Sequence, residues 1–380
     1  MTELDPTTSS RRRFLASSAA LAAGAAVGDA ARGAQAGAPA DGTAPLEAAY
    51  VRIQARYPHS NVHRSNHVPM VVEALATLGR ADAIGPWLDE HLEAYDPDEG
   101  PRNRIDAARW REVLGDHAYF TDWRELFLAE LAADDWRAVL GRWVPRFTPG
   151  LAGAATHGVI RTGHAARALA AHDSAVRRAE LATGLAYWAV NFEELPWDGS
   201  LAPERSVADA LARVVLRRPA EEPPRGNIVT GLRALQDTPS FHPVAGWVGV
   251  EDPARTLGEM ASAFARLYLA NPERRIAFTH AITAPSALRL LVPYLDEETV
   301  RAATRRAWQA AAGLFVVYGV SRGAEVAARP AERAALIAAC VANGGAHSIK
   351  LTEACLREEA FSRDPILLAA ARDAGQELNG

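Results

Sequence analysis

Lysine is all but missing from this chain of 380 residues: Lys350 is the single one among 41 lysines and arginines. Cysteine is scarce too, with 2. Cys340 and Cys355 are too few for a disulfide framework, and each falls inside an apolar helical pattern where a small buried thiol is the ordinary occupant, although a bridge between them stays open. No apolar run reaches the length of a membrane span. A formal charge of −5 leaves no broad basic field for a phosphate backbone, which argues against nucleic acid as a partner. Alternating Val, Ile and Thr runs are nearly absent, and with them the period-2 signature of strands. There is no GxGxxG after a strand, no Walker loop, no HExxH and no GxSxG, so a Rossmann-bound flavin or nicotinamide has no support.

What is present is helical. Apolar residues recur at three and four, as in Val176, Leu181, Leu185 and Trp188, or Leu257, Ala261, Phe264 and Tyr268. Breaks are expected at Gly79, Gly85-Pro86, Pro149-Gly150, Pro219, Pro272 and Pro293. The pattern predicts an all-α fold, a large bundle-like single domain of about fifteen helices over residues 45–380. The stretch 217–253 is irregular, either a lid or a long excursion between two helical halves. At the other end, Ser10-Arg11-Arg12-Arg13-Phe14-Leu15 precedes a weakly apolar run to Gly28 and the small-residue site Ala34-Gln35-Ala36. This reads as a twin-arginine signal over 1–36, with a flexible linker at 37–44. It predicts passage of the folded protein through the twin-arginine translocase to the periplasm or the medium, a route that favours a metal or other prosthetic group inserted beforehand.

The lone lysine raises the question of why arginine has not replaced it. Arginine stays charged at any accessible pH, whereas a buried amine can lose its proton and react. Lys350 follows His347 by three residues in Gly345-Ala346-His347-Ser348-Ile349-Lys350, so on a helix both leave by one face. A neutral amine beside a metal-binding histidine can capture carbon dioxide as a carbamate, an oxygen ligand resembling a carboxylate; the plain alternative is a leftover surface lysine.

Of 11 histidines, several sit where a helix would aim them inward. His59, His63 and His67 are spaced by four, but only His67 joins the apolar stretch Val68 to Leu78, and the other two read as loop residues. Pro69 suits a first helical turn and puts His67 at or just before the helix start. His157 and His164 share a face about 10.5 Å apart along a helix axis. Both cannot easily reach one ion through bonds of about 2.1 Å, so one suits a ligand and the other a supporting place. Gly158 and Gly163 beside them point to close approach of another helix or of a substrate. His280 is isolated in Ala277-Phe278-Thr279-His280-Ala281-Ile282-Thr283. Burying so many imidazoles is costly unless something engages them. A shared metal does so; imidazoles plus one anionic oxygen suit Fe, Mn or Zn held between helices of a bundle. Trp87, Trp110, Trp136 and Trp143 are candidates for an apolar pocket wall and fit a core better.

These segments resemble the questin oxidase-like family, named for fungal enzymes that open anthraquinone-type rings and including a Baeyer–Villiger-type oxidase of aflatoxin formation. The marks fall in order between Leu46 and Leu368: Asn66-His67-Val68-Pro69-Met70 with Leu78-Gly79, Trp143-Val144-Pro145, His157-Gly158-Val159-Ile160-Arg161 with His164-Ala165, Phe278-Thr279-His280-Ala281, and His347-Ser348-Ile349-Lys350-Leu351. The resemblance implies an oxygenase that oxidises or cleaves an aromatic or quinone-type ring, with dioxygen and a small aromatic or polyketide-like molecule as substrates. It implies a mononuclear non-haem Fe(II), or Mn or Zn in its place, held by His67, His157, His280, His347 and a carboxylated Lys350, with His157 preferred over His164. His164 and Arg161 are then the candidate catalytic residues. NADPH dependence, ascribed to the family, has no nucleotide-binding motif to rest on here.

Two rival readings remain at this stage. A hydrolase could use a carbamylated lysine to bridge paired metals, which would need further carboxylates, and Glu353 is the only obvious one. Alternatively the histidines hold a metal or a tetrapyrrole without catalysis. Replacing Arg11 and Arg12 together by Lys is expected to trap the precursor in the cytoplasm, as read by cell fractionation; normal amounts of the double variant outside would refute the twin-arginine assignment.

Overall fold

The computed structural model describes residues 42–56, 65–92, 105–106, 108–202, 205–216, 227–323 and 332–378. The expected signal, residues 37–41 of the linker, and His59 and His63 lie outside the described residues. Within them β pairing is confined to one isolated bridge between Arg205 and Val248, and the rest is helix and turn. The first group is α1 (Thr43–Gln54), α2 (Val68–Thr77), α3 (Ala81–His91), α4 (Phe120–Ala133) and α5 (Trp136–Phe147). The middle group is α6 (His157–Ala171), α7 (Ala175–Val190), α8 (Val207–Arg213), α9 (Ile228–Arg233) and α10 (Pro253–Ala270). The last is α11 (Arg275–Leu291), α12 (Glu297–Tyr318), α13 (Arg333–Asn343), α14 (Ala346–Ser362) and α15 (Ile366–Glu377). The all-α expectation holds. No helix among the described residues is long and apolar enough to cross a membrane.

Local chemistry explains most starts. Asp135, Ser174 and Asp296 each accept a first-turn N–H, from Arg137, Arg177 and Thr299, at the heads of α5, α7 and α12. One expected break does not occur: α3 runs straight through Gly85-Pro86. Gly85 has no Cβ to meet the proline ring, and the carbonyl that Pro86 cannot engage belongs to the solvent-exposed Asp82, where water can satisfy it.

Two apolar clusters carry the packing. Tyr50, Ile53, Val71, Leu75, Ile84 and Leu88 tie α1, α2 and α3 together and reach Cys340 and Ile349 on α13 and α14. Trp123, Phe127, Trp143 and Phe147 stack edge and face between α4 and α5, with Trp110 joining Trp143 at 5.7 Å between ring centres. Trp136 packs on Tyr294 at 4.8 Å. All four tryptophans singled out above are thus buried in packing contacts, Trp87 also donating its indole N–H to the Gly344 carbonyl. Cys340 and Cys355 are free, buried thiols. The described part of the irregular stretch, from residue 227, is α9 followed by short 3-10 turns; Leu232, Leu235, Phe241 and Val244 are buried there, and it packs on α12, where Trp308 donates to the Val244 carbonyl.

The arrangement that matters for function is a ring of four helices. α2 packs on α6 and α14, and α11 packs on the same two. All four run the same way. His67 meets His157, and farther along the same two helices Glu73 meets His164. On α14 the order His347 then Glu353 repeats this against His67 and Arg167, and on α11 His280 then Ser286 follows His347 then Glu358.

Two glycines of α6 set its approach to α11 within the ring and to α7 beside it. A Cβ on Gly163 would lie 2.7 Å from the Ala287 carbonyl oxygen of α11, and one on Gly158 would lie 2.6 Å from the Trp188 ring of α7. Helix approach, rather than a substrate, accounts for both. Gly163→Ala is expected to cost about 1–3 kcal/mol through backbone displacement. Gly258→Ala in α10, where the nearest atom to the new methyl is an ordinary 3.5 Å away, should instead be stabilising by roughly 0.5–1 kcal/mol. Urea unfolding measures both, and equal effects would refute the close-approach account.

Candidate metal centre

A backbone detour places the first ligand candidate. Before α6 the chain makes three consecutive left-handed residues, Ala154 (φ 48°), Ala155 (φ 54°) and Thr156 (φ 69°). Each costs roughly 1–2 kcal/mol for a residue with a Cβ. Gly153 starts the detour where no side chain fits, since its Cβ would stand 1.8 Å from the Asn191 carbonyl oxygen. The outcome is His157 as the first residue of α6, donating from Nδ1 to the Ala154 carbonyl at 2.7 Å. That bond fixes the proton on Nδ1 and leaves a lone pair on Nε2.

The other imidazoles arrive from the other three helices of the ring. His67 is the N-cap residue of α2, half-buried, with Nε2 at 3.0 Å from His157 Nε2. His280 lies in the second turn of α11 and donates Nδ1–H to the Ile276 carbonyl at 2.7 Å; its Nε2 is buried with no hydrogen-bond partner. His347 is the second residue of α14. Ring centres stand 4.9 Å apart for His67 and His157, 4.6 Å for His67 and His347, 4.8 Å for His157 and His280, and 5.3 Å for His280 and His347. The ligand atoms of His67, His157 and His347 lie within 4.8 Å of one another, so these three could hold a metal ion. Two nitrogens bound to one ion at about 2.1 Å and a right angle would be about 3.0 Å apart, which is the His67 to His157 spacing. The orphaned His280 Nε2 and the carbonyl-fixed tautomers of His157 and His280 fit a metal as well.

Electrostatics favour the neutral forms of His67, His157 and His280. Burial pushes the His67 and His157 imidazoles well below the ordinary histidine range, with Lys350 and the neighbouring imidazoles adding to it. Burial and then Lys350 bring His280 to about 4. Lys350, one turn beyond His347 and 2 % exposed, is lowered by burial to about 7. No acidic side chain among the described residues offsets that desolvation. A substantial fraction of Lys350 is therefore the free amine near neutrality, the form that can react.

Farther into the ring lies a charge network. His164 Nδ1 is 2.6 Å from Glu73 Oε2; Arg167 donates to Glu73 at 2.7 and 2.5 Å and also to Glu353; Arg357 holds Glu353 at 3.0 Å. Two carboxylates meet two guanidiniums, so His164 needs no charge, and burial lowers its pKa despite Glu73. Arg161 is elsewhere, donating to Glu180 of α7 at 2.6 and 3.0 Å. The structure thus brings His67, His157, His280, His347 and Lys350 together and seats His164 and Arg161 apart from them. Glu73 and Arg167 were overlooked in the sequence, yet Glu73 is the lone charge in the otherwise apolar α2, a signal of the same kind as His280.

Burial alone would raise the Glu73 carboxyl, but Arg167 and the His164 hydrogen bond overcome it and hold Glu73 at about 2 against an ordinary 4.5. A depressed carboxyl stabilises the fold above the unfolded pKa and loses that contribution as pH falls through the folded one. Its size here is roughly 3 kcal/mol. Glu73→Gln is therefore expected to be less stable than the native chain at pH 7, with the gap narrowing as pH drops below 4.5. Urea unfolding across pH checks this, and a gap independent of pH would refute it.

The sequence profile described as Questin oxidase-like matches residues 64–340, a narrower span than Leu46 to Leu368. It includes His67, His157, His164 and His280, while His347 and Lys350 follow its end. No curated protein matches the chain significantly. With the matched segment covering well over half its length, the chain belongs to the questin oxidase-like family, which implies an oxidoreductase.

Proposed function

We propose that this protein is a mononuclear non-haem iron oxygenase that oxidises, and in the end cleaves, an aromatic or quinone-type ring with dioxygen after export by the twin-arginine route. The observation that carries the reading is the meeting of four imidazoles from four helices, with His280 Nε2 buried and unsatisfied among them. His67, His157, His280, His347 and a carboxylated Lys350 would hold the ion. Bound Fe(II) would supply the activation of dioxygen; Mn or Zn are the alternatives for this donor set.

The chain's own residues do the rest. His157 and His280 keep Nε2 open because backbone carbonyls hold their Nδ1 protons. Lys350 reacts as the neutral amine with carbon dioxide: a C–N bond forms, one proton leaves, and the carbamate becomes the single anionic oxygen donor from the chain. Val68, Phe278 and Ile349, each within two residues of His67, His280 or His347 along the chain, are buried. His164, held through Nδ1 by Glu73, has no partner on Nε2 among the described residues and serves as proton acceptor in this reading. Arg161 keeps α6 in register with α7 through Glu180. A small aromatic or polyketide-like substrate is proposed. The hydrolase alternative is disfavoured because Glu353, its missing carboxylate, is taken up by Arg167 and Arg357. A non-catalytic metal or tetrapyrrole carrier would not call for the reactive amine.

Metal analysis of untagged protein is expected to find one transition metal per chain, most of it lost in His280→Ala and in His347→Ala. Lys350→Arg should lose metal although the charge is kept, Lys350→Glu should regain part of it, and bicarbonate should speed reloading of the stripped native chain only. Full occupancy in the histidine variants would refute the centre, and an active Lys350→Arg protein would refute the carbamate.

A further inference from the structure

The four helices that each bring one imidazole to the cluster are tied together a second time, farther along. Six residues on from His67, His280 and His347 stand Glu73, Ser286 and Glu353, each about 9 Å down its helix. Arg167 of α6 starts lower, ten residues after His157, and reaches back to that level because helix side chains lean toward the N-terminus. It donates from Nε and Nη2 to Glu73 of α2 at 2.7 and 2.5 Å, and from Nη1 to Glu353 of α14. Arg357, one turn past Glu353, holds that carboxylate at 3.0 Å through Nε and Nη2 and donates from Nη1 to the Ser286 carbonyl of α11. One polar chain thus touches all four helices, and its two acids are each 2 % exposed.

Such a chain does what apolar packing cannot. Burial of Val71, Leu75 or Leu351 resists separation of the helices, yet it is non-directional and gives little resistance to sliding or turning. Charged groups buried in pairs are exacting. A slip of one residue shifts a helix by about 1.5 Å and about 100°, and leaves a carboxylate or guanidinium in the core without its counter-charge. Side chains that converge on one ligand need placement within about 0.5 Å. A fixed register at Glu73 and Glu353 therefore fixes the imidazoles about 9 Å away on the same rods.

We propose that Arg167 is a positioning residue for the imidazole cluster. Its fork locks α2, α6 and α14 in register, Arg357 extends the lock to α11, and the four rings are held at their observed spacing as a result. The purpose of that spacing rests on the metal reading above, whereas the spacing itself does not. A lysine ammonium in place of Arg167 cannot do the same, since a point charge has no fixed geometry with which to bridge two acids.

Ring contacts in the metal-free chain give the test. With isotope-labelled histidines, nuclear Overhauser effects are expected between His67 and His157 and between His67 and His347, whose ring centres are 4.9 and 4.6 Å apart. A slip of about 1.5 Å that widens such a contact weakens it about fivefold, through the inverse sixth power of distance. Arg167→Lys keeps the charge and loses the bridge. Arg167→Met combined with Glu73→Gln removes one charge of each sign and leaves Glu353 paired with Arg357, so no buried ion is stranded. Both are expected to lose the ring contacts. Arg177→Met, which takes a buried guanidinium from Glu47 of α1 and from the Ala168 carbonyl, is expected to keep them. Titration of the same proteins with Co(II) should show binding about tenfold weaker, with altered visible bands, in the two Arg167 variants only. Native ring contacts in the folded double variant overturn the proposal, as does an equal loss in Arg177→Met. If the double variant does not fold, Arg167→Lys decides by the same contacts. A native chain that takes up no Co(II) refutes the metal reading, and the ring contacts still decide about Arg167.

Discussion

Among the described residues, four imidazoles and a primary amine share a largely buried cluster that holds no carboxylate, and the rest of the molecule is arranged around that electrostatic fact. Desolvation drives His67, His157, His280 and Lys350 toward their neutral forms, which are the forms that donate a lone pair. The acids that could have neutralised them are present nearby but already matched. Glu73 and Glu353 sit farther along α2 and α14, held by Arg167 and Arg357. The core is thus divided into a neutral, donor-rich end and a self-compensated ionic end.

That division explains why four helices run in one direction, an arrangement their macrodipoles oppose. Parallel packing brings the N-terminal ends together at the histidines and lets one guanidinium, Arg167 of α6, clasp carboxylates from both α2 and α14. A fork of fixed geometry can bridge two acids at once; an ammonium could not do so as well. The ionic end therefore sets the register that the donor end requires. The left-handed turn at Ala154 to Thr156 is the other concession, since three strained residues bring His157 Nε2 to 3.0 Å from His67 Nε2.

The questin oxidase-like match covers the segments that bring His67, His157 and His280, and the two remaining members of the cluster follow within ten residues of its end. The packing of α14 against α2 and α11 joins them to the matched part. The proposed oxygenase chemistry draws on both portions, which makes α14 as important to the reading as the segment that carries the family resemblance.

Much of this was legible in the residues alone. The helical period and the lack of strand patterns predicted an all-α fold, and the isolated polar residues on apolar helices singled out His67, His157 or His164, His280, His347 and Lys350 as candidates, because burying an unpaired imidazole or a lone lysine is costly; grouping them as one ligand set came with the family resemblance. The choice between His157 and His164 was not legible, since seven residues along a helix returns both to one face. Only tertiary packing decided it, by seating Glu73 of α2 against His164 and leaving His157 at the helix start beside His67. The continuity of α3 through Pro86 depended on the solvent exposure of that turn, and the left-handed turn is made of alanines and a threonine that signal nothing. Which residues can be buried is a property of the chain, whereas which of them face one another is settled by the direction and spacing of four helices.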